Sequence, residues 1–467
     1  MFRVFAHHVR GLIVVEALAD TLVCFLAVLG AGKQLIVDHA LLKPSFPATE
    51  QLLVPAAAFT IVMSLMYSFV GLYRRGAVTV SFRGLFGRTL LALLAGASIA
   101  FFALTLAGHR GYAVELLGRA ALYVTAGVVV VRSVAFLARR ASLGARRVLI
   151  VGTGDEAQAV AHGIRSADRS NATIVGYYPA GEVGPNPHGV ESFPSSMSIT
   201  QIVRENRVDE IIVAVREQRG GGVPMDQLLE CRIRGIPVLD MAGFNERVYG
   251  EVPIDSLKAS WLVYGHGFVQ GPLRSATKRT FDLVCSLLLL AMAMPVMLAA
   301  MVAIRLGSEG PIFYSQERVG RGGRVFKCLK FRSMRTDAEK DGIARWASKN
   351  DSRVTRVGAF MRKTRIDELP QLISVLRGEM SLVGPRPERP SFVAELKETI
   401  PFYDIRHSVK PGVTGWAQVR FGYCATLDDS RRKHQFDLYY VKNNSLFLDL
   451  LVLIETVSVV LFREGSQ

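Results

Sequence analysis

The chain has 467 residues, half of them hydrophobic, with a formal net charge of +16 and a mean hydropathy of +0.27. That apolar content excludes an ordinary soluble globular protein and calls for membrane segments. The positive excess leaves nucleic acid or the anionic inner leaflet as the opposing surface. Apolar runs flanked by arginine select the membrane, so no nucleic-acid partner is expected. The five cysteines (Cys24, Cys231, Cys285, Cys328, Cys424) are scattered and lack paired spacing, which argues against a zinc site or a disulfide framework.

Four apolar runs fill the first third: about Gly11–Leu29, Leu52–Leu72, Thr89–Ala107 and Ala120–Leu137. Each is near the ~20 residues a bilayer-crossing helix needs. The first is followed by further apolar runs, so it reads as a helix rather than a cleavable signal. The loop after the second run carries Arg74, Arg75, Arg83 and Arg88 without an acid, and the exit carries Arg132, Arg139, Arg140, Arg146 and Arg147. The positive-inside rule then puts both ends of this bundle, residues 1–142, in the cytoplasm. Glu16 and Asp20 in the first run are expected near an interface or paired inside the bundle.

Residues 143–245 change character. Val148–Val151 is a buried-strand run, followed by Gly152-Thr153-Gly154-Asp155-Glu156-Ala157 and a helical segment. This is G-x-G-x-x-A between strand and helix, the context of a dinucleotide fingerprint centred on Gly152 and Gly154. Strand-like runs at Thr173–Tyr178, Glu210–Val215 and Pro237–Leu239 predict a small parallel, Rossmann-like sheet. The acid that should close the second strand and hold a ribose is missing, and no Tyr-x-x-x-Lys follows, so a structural or regulatory role is favoured. Residues 246–277 read as a linker with Trp261, Tyr264 and Phe268.

A fifth apolar run, about Val284–Ile304, contains Pro295. Arg274, Lys278 and Arg279 precede it; Arg305, Arg318, Arg321 and Arg324 follow. Positive charge on both flanks conflicts with a crossing, and a mid-helix proline bends the chain. A helix-break-helix over about 281–306, entering and returning to the cytoplasmic face, is predicted.

The remainder is dense in groups suited to phosphate: Gln316 to Gly320 with Arg318, then Lys330 to Met334 with Arg332. The stretch Arg362–Pro387 follows, containing Arg365, Asp367, Glu368 and Arg386. Neighbouring residues on a helix face different ways, so one of two adjacent carboxylates can hold a metal while the other meets a substrate. Arginines nearby are expected to keep both ionised and to grip phosphate oxygens. The plain alternative is a solvated Asp-Glu at a helix start. The last apolar run, about Leu446–Leu461, reads as an amphipathic helix on the membrane or packed on the domain.

From Lys278 onward seven ordered motifs occur: K-R-x-F-D at Lys278–Asp282, the proline-broken helix, Q-x-R-x-G at Gln316–Gly320, K-F-R-S-M at Lys330–Met334, R-x-D-E-L-P-Q-L at Arg365–Leu372, G-P-R-P at Gly384–Pro387 and K-P-G-V-T-G-W-A-Q at Lys410–Gln418. With these, residues 278–467 resemble the bacterial polyprenyl-phosphate glycosyl-1-phosphate transferases, and the whole chain resembles the large form serving exopolysaccharide synthesis. The resemblance implies a membrane protein with a four-helix transmembrane bundle, a Rossmann-like parallel-sheet domain and a mainly helical catalytic domain with a re-entrant helix. It implies transfer of a sugar 1-phosphate, glucose 1-phosphate for this subgroup, from a UDP-sugar to undecaprenyl phosphate with release of UMP. Asp367 would be the nucleophile, Glu368 a Mg2+ ligand, and Lys330, Arg362 and Arg386 phosphate or nucleotide contacts. Pro295 matches the break of the re-entrant helix, although Met294 stands where the family often has Ser. The site would face the cytoplasm at the inner membrane, among membrane lipid, in a homodimer. Two other classes compete with this reading: an NAD-dependent sugar-nucleotide dehydratase or epimerase on the G-x-G-x-x-A module, and a non-enzymatic scaffold. Tyr439-Tyr440-Val441-Lys442 has the wrong place and spacing for the first, and the complete motif set argues against the second.

Overall fold

The structure is a computed structural model describing residues 2–4, 7–9, 11–39, 52–70, 72, 82–106, 110–140, 145–167, 172–180, 192–215, 222–254, 271–336, 338, 353–421 and 426–462. Trp261, Tyr264 and Phe268 lie outside these residues. The chain divides into two compact units, Met1–Val248 and Tyr249–Gln467.

The first unit opens with a short antiparallel pair, β1 (Phe2–Val4) and β2 (His7–Val9). Four helices follow: α1 (Gly11–His39), α2 (Leu53–Phe69), α3 (Phe82–Leu106) and α4 (Arg110–Arg140). α1 packs on α2 and α4, and α3 also packs on α2 and α4. α1 and α4 are long and apolar enough to cross a membrane, while the apolar stretches of α2 and α3 are shorter. Glu16 and Asp20 do pair inside this layer: both meet Arg132 of α4, Glu16 at 2.7 Å, and all three are buried. A buried guanidinium that lost these partners would be an uncompensated charge, so the trio fixes the register of α1 against α4.

The same unit carries β3 (Arg146–Val151), α5 (Asp155–Ala167), β4 (Ala172–Tyr178), α6 (Ile199–Glu205), β5 (Glu210–Val213), α7 (Met225–Ile233), β6 (Val238–Asp240) and α8 (Met241–Val248). The strands form one parallel sheet in the order β4-β3-β5-β6. Buried Leu149, Val151, Ile211 and Val213 supply its core, and the four predicted strands are all present. Gly152 has φ +124°, and a Cβ there would stand 2.4 Å from the Ala214 carbonyl oxygen. The glycine is therefore demanded by the closeness of the neighbouring strand's end, with no ligand needed to explain it.

The second unit is built on α9 (Pro272–Gly307), a 36-residue helix. Next come the hairpin β7 (Phe313–Val319) and β8 (Val325–Phe331), then α10 (Arg356–Thr364), a 3-10 turn at Ile366–Glu368 and α11 (Gln371–Arg377). After these come β9 (Ser381–Val383), α12 (Pro390–Thr399), a 3-10 segment at Tyr403–Ser408, and β10 (Gly412–Thr414), which pairs in parallel with β9. α13 (Trp416–Arg420), α14 (Leu427–Asn443) and α15 (Leu446–Phe462) complete the chain. The core gathers Val252, Val375, Met380, Leu382, Trp416 and Tyr439, among others. Trp416 is 1% exposed and its indole nitrogen donates to the Gly250 carbonyl at 2.7 Å, so residues ahead of α9 belong to this core. α15 packs on the domain, with Asp449 buried against Lys278 and Tyr440 and Glu455 against Arg420.

α9 is helical straight through Pro295, so the predicted break is not an interruption of secondary structure; the proline removes one backbone bond within it. Both ends of α9 are fastened to the same body. Near the start, Lys278 donates to Asp449 (2.7 Å), Arg279 to the carbonyls of Val375 and Leu376 (2.6 and 2.7 Å), and Asp282 accepts from Ser381 and the Leu382 amide. Near the end, Met297, Ala300 and Ile304 bury against Phe331 and Met361. Between these anchors Leu287, Leu288 and Met292 are 61%, 60% and 77% exposed.

Candidate active site

Asp367 and Glu368 sit on the 3-10 turn between α10 and α11. Thr355 caps α10 by accepting from the Gly358 amide at 2.9 Å. α10 stops at Arg365, whose φ of +59° is left-handed. Such a conformation costs an L-residue ~1 kcal/mol or more, and here it turns the chain so that the next three residues form a tight turn before Pro370 and α11. With three residues per turn, neighbouring side chains point about a third of a circle apart. The two carboxylates accordingly meet different surroundings, although both are buried.

Glu368 is the anchor of the cations. Its Oε1 accepts from Lys330 of β8 at 2.9 Å and from Arg386 at 2.7 Å, while Oε2 has one long contact to Arg386 at 3.5 Å. Arg365 stands 3.9 Å away. Burial alone would raise its pKa, but Arg386 and Lys330 together outweigh that and hold it well below the usual carboxylate range. Asp367 behaves oppositely. Burial, then the charge on Glu368, pushes its pKa up despite Lys330, Arg365 and Arg386, and its Oδ1 has no hydrogen-bond partner. The expectation that nearby cations would favour the ionised form of both acids therefore holds for Glu368 and fails for Asp367, because the cations converge on one carboxylate. Three cations face two carboxylates here, leaving a positive excess for an anionic ligand.

The remaining expected residues divide. Lys330, Arg365 and Arg386 are brought to the pair. Gln316 and Arg318 on β7 form a layer behind it: Gln316 Oε1 accepts from Arg318 at 2.6 Å, and Arg318 donates to the Pro387 carbonyl at 3.0 Å. Arg332 is not at the pair; it is buried and donates to the carbonyls of Ser308 and Glu309, closing the end of α9. Arg362, in the last turn of α10, makes no ion pair among the described residues. Pro295 lies in α9 and Gly152 and Gly154 in the other unit.

Sequence reasoning missed what holds Arg386. Buried Arg406 donates to the Arg386 carbonyl (2.8 Å) and to Asp437 (2.8 Å). Next to it Glu388 accepts from Lys433 at 2.7 Å. Its pKa falls to about 2: burial opposes this, but Lys433, Arg406 and Arg318 prevail. Beneath the corner, three glycines interlock: a Cβ on Gly384 would lie 2.4 Å from the Lys410 carbonyl oxygen, on Gly412 2.1 Å from the Gly384 nitrogen, and on Gly415 2.2 Å from the Gly384 carbonyl oxygen. No spacing rule announces Arg406–Asp437, since the partners are 31 residues apart; the Gly/Pro-shaped motifs were the only available signal.

The described residues hold no group of three or more His, Cys, Asp or Glu side chains suited to a metal. What the pair offers is one unpartnered oxygen on Asp367 and the lightly engaged Oε2 of Glu368. That fits Mg2+, which takes one or two carboxylates and completes its shell with water and substrate phosphate.

The buried acid pair lies under a fan of basic groups in a chain with three described helices long and apolar enough to cross a membrane, the composition of a membrane-associated protein. The sequence pattern of the family described as "Bacterial sugar transferase" matches residues 273–463. An Aeromonas hydrophila protein named UDP-N-acetylgalactosamine-undecaprenyl-phosphate N-acetylgalactosaminephosphotransferase is 42% identical over 261 residues, 56% of this chain and 61% of that protein. A Komagataeibacter xylinus undecaprenyl-phosphate glucose phosphotransferase is 35% identical over 337 residues, 69% of this chain and 60% of its own. The UDP-glucose:undecaprenyl-phosphate glucose-1-phosphate transferase of Escherichia coli K12 is 32% identical over 67% of each chain. The chain belongs to the bacterial sugar transferase family, and its match spans about three fifths of the first two relatives' lengths.

Proposed function

We propose that this protein transfers a sugar 1-phosphate from a UDP-sugar to undecaprenyl phosphate, with Asp367 as nucleophile. The carrying observation is the split between the two acids: Glu368 Oε1 is held by Lys330 and Arg386 while buried Asp367 keeps an unpartnered oxygen. An Asp367 oxygen attacks the phosphorus bearing the sugar, the bond from that phosphorus to the bridging oxygen breaks, and UMP leaves with the electron pair. A phosphate oxygen of the lipid acceptor then attacks the same phosphorus, and the Asp367 carboxylate departs unchanged. Lys330, Arg365 and Arg386 offset the charge that crowds around phosphorus in both displacements. Glu368 would hold Mg2+, which would add further neutralisation of the diphosphate.

We assign glucose as the sugar, since most of the relatives aligned over about two thirds or more of this chain carry glucose in their names; N-acetylgalactosamine and galactose, named in two other relatives, are the next candidates. The setting is the cytoplasmic face of the bacterial inner membrane, as the first lipid-linked step of exopolysaccharide synthesis, with α1–α4 crossing as a bundle and α9 entering and returning. Re-entry is supported by the attachment of both ends of α9 to one body and by basic residues at both flanks. The homodimer implied by the resemblance is checked by light scattering of the solubilised chain.

The decisive experiment incubates membranes holding the protein with undecaprenyl phosphate and labelled UDP-sugars, reading UMP release and label on the polypeptide. Asp367→Asn is expected to abolish both. Normal turnover in that variant, or product without any protein-bound phosphosugar, would overturn the mechanism.

A further inference from the structure

A second basic pocket lies at the far end of α11 from the acid pair. α11 starts just after Glu368 and is seven residues long, so its C-terminus is removed from the pair by roughly 10 Å at 1.5 Å per residue. There Lys278, Arg279, Arg321, Lys410 and Asp282 line a pocket of about 50 Å³. A single water needs ~10–15 Å³ on this measure, so the space suits a group of a few heavy atoms, such as a phosphate.

Three of the charged groups are spoken for. Lys278 is paired with Asp449, Asp282 accepts from Ser381 and the Leu382 amide, and Arg279 donates to the last carbonyls of α11. Lys410 and Arg321 make no salt bridge and no side-chain hydrogen bond among the described residues. Lys410 and Arg279 both close on Gly378, where a Cβ would lie 3.5 Å from the lysine nitrogen and 3.4 Å from a guanidinium nitrogen. The crowding shows in Lys410: burial first, then Arg279, lowers its pKa, with Arg321 and Lys278 adding to the effect and only Asp282 opposing it. Four cations thus face two carboxylates. Simple capping of α11 explains Arg279, but it leaves Lys410 and Arg321 facing a hollow.

The position says what fills it. Arg279 precedes by four residues the run in which Leu283, Val284, Leu287 and Leu288 are exposed, so the hollow lies where the apolar face of α9 begins. An acceptor lipid whose phosphate must reach Asp367 has no use for a seat at the other end of α11. We propose that this pocket seats the phosphate of an anionic phospholipid of the surrounding leaflet, gripped by Lys410 and Arg321, with its acyl chains beside α9. The seat sets the depth at which α9 and the adjoining acid pair ride in the membrane surface.

The proposal goes beyond the transfer reaction and is tested apart from it, by calorimetric titration of the full-length, detergent-solubilised protein with dihexanoyl phosphatidylglycerol, dihexanoyl phosphatidylcholine and inorganic phosphate. Saturable binding of phosphatidylglycerol is expected, well above that of the other two. Lys410→Gln combined with Arg321→Gln should weaken it about thirtyfold at ~1 kcal/mol per basic group. Lys410→Arg should stay near the parent, showing that charge rather than a fold defect is read, and Asp367→Asn should bind fully even though its transfer activity is expected to vanish. Equal binding of phosphatidylcholine, equal binding of inorganic phosphate, or an unaltered double variant would each overturn the assignment.

Discussion

Asp367 and Glu368 are chain neighbours with opposite electrostatics. Because burial and Glu368 raise the Asp367 pKa, the folded protein holds that proton better than the unfolded chain does. Its contribution to stability is therefore complete at low pH and is lost as pH rises from the ordinary aspartate value through the raised one. Asp367→Asn should accordingly raise stability at pH 8 by ~1 kcal/mol, a few degrees in Tm, while silencing transfer. Glu368→Gln should do the reverse to stability. It strips the counter-charge from Lys330 and Arg386 and costs roughly 3–5 kcal/mol. Thermal melts of the two variants from pH 5 to pH 8 check both signs; equal shifts would mean that the cations do not discriminate between the acids. The acid limb of UMP release should also fall above the pH at which an exposed aspartate titrates, since the proposed attack needs Asp367 without its proton.

At the scale of elements, α9 carries the clearest prediction. Single cysteines at Ser275 and at Ser308, in a chain whose native cysteines are replaced, should both label from the cytoplasmic side of sealed vesicles, and a cysteine at Met292 should label from neither. Labelling of Ser308→Cys from the opposite side would establish a crossing helix. Much of this level was legible in the sequence. The parallel strands read directly from runs such as Val148–Val151, because strands buried on both faces are continuous in hydrophobicity. The acid pair was legible too, as adjacent carboxylates amid arginines are conspicuous. The sequence did not reveal that Arg332 would turn away to the end of α9, or that Arg406 would reach 31 residues to Asp437. Side-chain partners across elements depend on packing, which residue type and spacing do not specify. The continuity of α9 through Pro295 was hidden for a related reason: one lost backbone bond is a small cost when both flanks of the helix are pinned.

Across the whole molecule, the division at Val248/Tyr249 predicts where the chain can be cut. A polypeptide beginning at Tyr249 keeps buried Val252 and Ile254 and the carbonyl of Gly250 that receives the Trp416 N–H. One beginning at Pro272 loses all three, leaving a buried donor unsatisfied and a hole beside Trp416, at a cost of ~3–5 kcal/mol. Melting temperatures in one detergent should separate the two by about 10 °C, and only the longer piece should retain near-parental UMP release per folded molecule. The interlocked Gly384, Gly412 and Gly415 have a consequence of another kind. Their backbones touch so closely that any added carbon must push aside the segment leading to Arg386. A saturation scan selecting for the proposed transfer would therefore rank these three positions beside Asp367, although none reaches a reactant, and tolerance maps of this stretch would chart main-chain contact rather than chemistry.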